Sequence, residues 1–169
     1  QLETIEAALI HDIGKLPVSD SIREKEMLTK EAMAELRAVE LEGYNLIDMV
    51  FPTTPNIRRI CAQAQKAVES AETGEDISAM KMVIGAKVLA VAETFDTMTA
   101  VQIGTGPVSE VAALRYLTEH PKAYDRTAVK ALIRSINILT PGVSVELNTG
   151  EKALILTENT ENILKPMIL

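Results

Sequence analysis

Residues 11–20 read HDIGKLPVSD, and three side chains in the first five positions can do chemistry. His11 offers an imidazole nitrogen and Asp12 a carboxylate oxygen. Adjacent at a helix end, the two can reach one cation, and a mixed nitrogen and oxygen set suits iron, manganese or zinc. Lys15, one turn further on, can hold a phosphate oxygen as a point charge. The competing reading of the pair is structural, with the imidazole hydrogen-bonded to Asp12 or Glu93 and no metal present. Glu93 and Asp96 lie one turn apart on an apolar segment. A carboxylate there is costly to bury without a partner, and His11, Lys15 or a cation would serve as one. Arg58, Arg59 and Lys66 form a small basic set that either binds a nucleotide phosphate or makes a solvated helix face.

Helices must position these groups. The chain has 169 residues, 47% of them hydrophobic, with no Trp and only 3% aromatic, a mixture that favours helices packed on small and aliphatic side chains. Leu2, Ile5, Ala8 and Leu9 recur at helical spacing and lead into His11, and Gly14 and Pro17 stop that helix. Residues 16–28 read as a polar connector. Thr29 caps a long helix running through Leu36, Val39, Leu46, Ile47 and Val50, ended by Phe51-Pro52. Thr54-Pro55 supplies an N-cap and a first-turn proline for a helix to about Ser70. After a loop at 72–76, an all-round apolar helix from about Ser78 to Ala100 is the expected centre of the bundle. Ser109 caps a helix to Glu119, and Asp125 caps a last one to about Asn137.

Beyond Pro141-Gly142 the period changes to two: Val143, Val145 and Leu147 alternate with polar residues, residues 148–150 turn the chain, and 153–156 return it. Residues 163–169 offer a third extended piece. The expectation is an all-α domain over 1–140, six helices in all, with a small C-terminal β-hairpin or three-stranded element over 141–169.

Other classes are disfavoured. A net charge of −7 argues against a nucleic-acid polymer as partner. The single Cys61 cannot form an internal disulfide, which points to the cytoplasm, and it reads as a small buried apolar residue. No apolar run approaches the roughly 20 residues that span a bilayer. The methionines follow helical spacing and read as core filler, and His120 as a surface turn residue. The chain opens at Gln1 inside a helical pattern and closes on an apolar run, so both ends are expected to be cut from something longer.

Three ordered blocks then sharpen the reading. HDIGKLPVSDSI, LTKEAMAELRAVELEGYNLI and KVLAVAETFDTMTA resemble the metal-binding blocks of the HD superfamily of metal-dependent phosphohydrolases, in its HD-GYP branch. TPGVSVELNTGEKALIL is similar to the β-unit that often closes these domains. The resemblance implies an HD-type helical bundle, N-terminally incomplete here. It implies cyclic di-GMP hydrolysis in intact relatives, with Lys15 on phosphate and His11, Asp12, Glu93 and Asp96 as the matching metal positions. The departures count as much. Val39 stands where the family has a histidine, Gln63 to Lys66 where it has His-His-Glu, ESAETGEDISAM where it has GYP, and Glu93 where it has an aspartate. A multi-metal centre needs about six to eight protein ligands, and the chain contains only two His.

The expected function is a degenerate HD-GYP-like output domain of a bacterial signalling protein, without phosphodiesterase activity, acting by protein or ligand binding. Its partners would be other signalling proteins or an upstream input domain, with a cyclic dinucleotide as a candidate ligand and oligomers allowed. Its cofactor would be none, or one divalent Fe, Mn or Zn at a residual site. The alternative is a metal-dependent phosphohydrolase with a mononuclear site acting on a cyclic dinucleotide or other phosphoester.

Overall fold

The structure, a computed structural model, describes residues 1–16, 20, 29–100, 106–136, 139–159 and 165–169. Nearly all of the expected connector at 16–28 lies outside them. So do Gly104, Asn137 and the first part of the third extended piece. Among the described residues the chain forms α1 (Leu2–Ile10), a 3₁₀ turn (His11–Lys15), α2 (Lys30–Gly43), α3 (Asn45–Val50), α4 (Pro55–Thr73) and α5 (Ile84–Thr99). α6 (Glu110–Glu119), α7 (Arg126–Ile136), β1 (Ser144–Glu146), β2 (Lys152–Thr157) and β3 (Met167–Ile168) follow. The architecture is the helical bundle with a small C-terminal sheet that the sequence implied.

α4 and α5 form the heart of the bundle. On α4, Ile57, Ile60, Cys61, Ala64, Ala67, Ser70 and Ala71 recur every three or four residues and are all buried, the single apolar stripe of an amphipathic helix. α5 meets that stripe with Ala86, Leu89, Ala90 and Val91, and its other flanks carry α1, α6 and α7. Small residues along both helices let the backbones approach closely. Leu114, Leu117, Tyr124, Val129 and Ile133 close the far side of the core.

Three caps form as the side chains dictate. Thr29 Oγ1 accepts from Ala32 N at 3.2 Å and Ser109 Oγ from Ala112 N at 3.2 Å. Asp125 Oδ1 accepts from the amides of Thr127 and Ala128 at 2.9 and 3.1 Å. Pro55 opens α4 as expected. Thr54 caps it through its carbonyl, which accepts from Ile57 N at 3.1 Å, while its hydroxyl turns back to Phe51 O.

Two elements differ from the sequence reading. The long helix expected from Thr29 to Val50 divides at Tyr44 into α2 and α3. The division sits where Gly43 packs on Gly14 of the 3₁₀ turn: a Cβ on Gly43 would lie 2.6 Å from Gly14 O and 2.7 Å from Gly14 Cα. α5 begins at Ile84, six residues later than expected. The amide of Val83 is taken by Gln63 Oε1 at 2.8 Å, and Asp76 Oδ1 binds the amide of Ser78, so the lead-in forms a turn at 78–80 and an extended Val83 in place of helix.

The C-terminal sheet has the order β1-β2-β3, antiparallel throughout, with Val145 opposite Ala153 and Ile155 opposite Ile168. Ala153 and Ile155 point inward and alternate with exposed neighbours, as a half-buried strand requires. Gly150 takes φ 84° in the connecting turn, a conformation open to glycine without strain.

Candidate functional site

The site begins where α1 tightens. In a 3₁₀ turn, residues three apart are eclipsed. Asp12 and Lys15 therefore share a side, and Lys15 Nζ donates to Asp12 Oδ1 at 2.5 Å. His11 Nδ1 donates to the carbonyl of Ala8 at 2.7 Å, which fixes the ring and turns Nε2 toward Asp12 Oδ1, 3.4 Å away.

α2 supplies the second wall. Gly14 lies so close to it that a Cβ there would meet Glu40 O at 2.5 Å and Tyr44 Cε1 at 2.9 Å. That approach brings the Glu40 side chain, only 9% exposed, to the same centre. Gln65 of α4 reaches across and donates to Glu40 Oε2 at 2.7 Å. α5 adds the half-buried carboxylate of Glu93, which lies within the fields of His11, Lys15, Asp12 and Glu40.

The electrostatics follow from this crowding. Burial raises the Glu40 carboxyl above the usual range, and the pull of Lys15 and the Gln65 bond offset this only in part. Burial raises Glu93 as well, with Asp12 and Glu40 pushing the same way and His11 and Lys15 opposing. For Lys15, partial burial lowers the ammonium pKa. The bond to Asp12 and the fields of Asp12, Glu40 and Glu93 more than reverse this, and the net direction is up.

The structure thus gathers His11, Asp12, Lys15 and Glu93, four of the expected residues, and adds Glu40 and Gln65, which the sequence reading passed over. Val39, the position counted for the family histidine, is half-buried, and it is the next residue that turns to the site. The signal was present in α2: Ala32, Leu36, Glu40 and Gly43 follow helical spacing, and a charge interrupts that inward stripe at Glu40. Asp96 sits one turn beyond Glu93 and is exposed.

The basic set stays dispersed. Arg58 donates to Asn45 Oδ1 at 3.0 Å and lies 3.4 Å from Asp48, Arg59 is exposed, and Lys66 pairs with Glu75 at 2.6 Å. Eight residues separate Arg58 from Lys66, about 12 Å along a helix. Cys61 is buried beside Ala7 O, and burial pushes its thiol up to about 12. His120 is half-buried at the end of α6. It donates to Tyr116 O at 2.8 Å and stacks on that ring, so it is more anchored than a surface turn residue.

Among the described residues no group of three or more His, Cys, Asp and Glu side chains is placed to hold a metal ion. Among them, too, no helix is long and apolar enough to cross a membrane.

Comparison with known proteins agrees with the fold and with the motif at its centre. The HD domain family matches residues 1–128, and the chain belongs to that family. A similar protein is a cyclic di-GMP phosphodiesterase of Pseudomonas aeruginosa, 21% identical over 163 residues. The match covers 96% of this chain but 39% of the relative, so the chain spans about two fifths of that protein's length. No solved structure matches with significance.

Proposed function

We propose that the chain is an HD-type output domain of a bacterial signalling protein that works by binding, not by phosphodiester hydrolysis. The observation that carries this reading is the engagement of Asp12. Its Oδ1 holds Lys15 Nζ at 2.5 Å, in a centre where no three donors among the described residues are placed together to hold a metal ion. A hydrolytic centre of the family type must hold cations, keep positions for water and phosphate, and present a metal-activated nucleophile. One imidazole, with Asp12 and Glu93 both in the field of the half-exposed Lys15 ammonium, is a poor fit to that demand. The likeness to a cyclic di-GMP phosphodiesterase supports a cyclic dinucleotide, or a protein that responds to one, as what the domain meets.

The test is direct. Protein incubated with cyclic di-GMP and Mn²⁺ or Fe²⁺ is expected to yield no linear dinucleotide by chromatography. Turnover that disappears in Asp12→Ala would overturn the reading.

One observation favours a second reading, a mononuclear phosphohydrolase. A metal-ligating histidine usually donates its other ring nitrogen to a carbonyl or carboxylate, and His11 does this through Nδ1 to Ala8 O. On that reading His11 Nε2 and Asp12 would hold one cation and Glu93 would have to move onto it, with Asp96 one turn further along α5. Lys15 would then leave Asp12 for a phosphate oxygen.

A further inference from the structure

α1 is apolar on two opposite sides. Ala7 and Ile10 turn inward to the bundle, while Leu2, Ile5 and Leu9 recur at i, i+3 and i+7 along the outside. Neither glutamate interrupts that outer stripe. Glu3 accepts from Asn56 Nδ2 of α4 at 3.3 Å, and Glu6 falls on the flank away from α5. α5 continues the same surface with Ile84 and Val88. Leu9 and Ile84 are each 80% exposed, Leu2 67%, Ile5 59% and Val88 45%.

The two helices are neighbours and run parallel. A Cβ on Gly85 would meet Thr4 Oγ1 at 2.7 Å, and Glu93 lies in the field of His11, so similar steps along the chain carry both helices the same way. Thr4 and Ala8 on α1, with Gly85 and Ala92 on α5, line the seam between them, and the large aliphatic side chains stand to either side. A ridge beside a groove is a shape that packs against a copy of itself.

Size and charge both favour a second copy as the occupant. At about 120 Å² of apolar surface for a fully exposed aliphatic side chain, these five offer about 400 Å². Patches of that size mark contact surfaces more often than idle ones. Two copies face to face would remove about 800 Å² of apolar surface. At the roughly two-thirds apolar share of homodimer interfaces this is about 1,200 Å² in all, enough for a specific pair. The ends of the face carry opposite charges: Lys81 is exposed just before α5 and Asp96 is exposed in its last turn. They stand about 20 Å apart along the helix, too far to compensate one another across salt water. A two-fold axis brings each onto its opposite.

We propose that this face is the contact surface of a homodimer, with α1 packed on α1 and α5 on α5, antiparallel across a two-fold axis. Val88 then lies near the axis, Ile84 covers Ala92 of the second copy, and Lys81 stands beside Asp96 of the second copy. Because α1 leads straight into the turn that carries His11 and Asp12, the pairing couples the two centres through the helices that hold them. The proposal stands whether or not the centre cleaves a phosphodiester.

The experiment is sedimentation equilibrium of the 169-residue chain over about 1–200 μM, which spans the affinities of weak to moderate pairs. Wild type is expected to reach twice the mass of one chain. Leu9→Glu/Ile84→Glu is expected to dissociate at least tenfold more readily, with its helical circular dichroism retained because neither side chain is in the core. Lys81→Glu and Asp96→Lys should each weaken the pair several-fold, and the combined Lys81→Glu/Asp96→Lys variant should restore it. If Leu9→Glu/Ile84→Glu fails to fold, the charge exchange decides alone: recovery in the combined variant supports the proposal and no recovery overturns it. A wild-type chain that stays monomeric throughout overturns it, leaving the face to another segment or protein. A dimer that Leu9→Glu/Ile84→Glu leaves intact overturns it as well.

Discussion

Gly43→Ala is the most exposing perturbation of this architecture, because it adds one methyl group at the closest approach in the site. The new Cβ would lie 2.6 Å from Gly14 O and 2.7 Å from Gly14 Cα, both backbone atoms that cannot rotate aside. Overpacking of this kind costs about 1–3 kcal/mol. Alanine recovers at most about 1 kcal/mol through its better helix propensity, and less at a helix end such as this one. The net loss is therefore about 1–2 kcal/mol, which in a domain of this size lowers Tm by roughly 2–8 °C. Gly14→Ala should fall at least as far, since its Cβ meets Glu40 O at 2.5 Å and no propensity gain inside an α-helix offsets it. Gly106→Ala is the control: nothing lies within 4 Å of its Cβ position, and its Tm should stay near that of wild type. The assay is thermal melting by circular dichroism at fixed concentration. If Gly43→Ala melts within about 1 °C of wild type, well under the shift expected from 1 kcal/mol, then α2 does not rest on the 3₁₀ turn and the placement of Glu40 fails with it.

Asp125→Ala should lower the urea midpoint at pH 7 by about 1 kcal/mol in stability, through loss of the cap on α7, with a smaller part from the exposed side of the Lys87 pair. The bond to Lys87 holds the Asp125 carboxyl below its usual range, so this stability is present above the ordinary carboxylate pKa and is lost as pH falls through the lower folded value. Wild type and Asp125→Ala should converge below about pH 4. Glu93→Gln runs the other way: a carboxyl raised by burial disfavours the folded state at neutral pH, so the variant should have the higher urea midpoint at pH 7.5. The gain should shrink as pH falls through the carboxylate range, and an unchanged gain at low pH would contradict the assignment. Cys61 should resist a thiol reagent at pH 8 in the native protein and react on unfolding in urea, roughly a hundredfold faster or more, because its thiol is both buried and pushed up to about 12.

What could be read from the sequence was what short stretches decide for themselves. Thr29, Ser109 and Asp125 cap their helices through bonds to amides two or three residues away, and β1 and β2 pair across a turn set by Gly150. The start of α5 was missed because Gln63, twenty residues back, takes the amide of Val83. The break after Gly43 was missed because the surface that presses on it is Gly14, twenty-nine residues earlier. Neither partner leaves a mark in its neighbour's local pattern.

The site divides along the same line. His11, Asp12 and Lys15 are neighbours in the chain, and their association needs only the 3₁₀ turn. Counting along a motif to Val39 fixes a position but not the direction of its side chain, and one residue on a helix is a rotation of about 100°. Rotation favours Glu40, which lies on the inward stripe between Leu36 and Gly43 and is held there by Gln65. A buried carboxylate at that point changes the charge balance of the centre, because it adds an acidic group in the field of Asp12 and Glu93. The Lys15 charge is in the field of Glu40 as well as of Asp12 and Glu93. The carboxylate of Glu40 on α2 and the ammonium of Lys15 on the turn offset one another in charge.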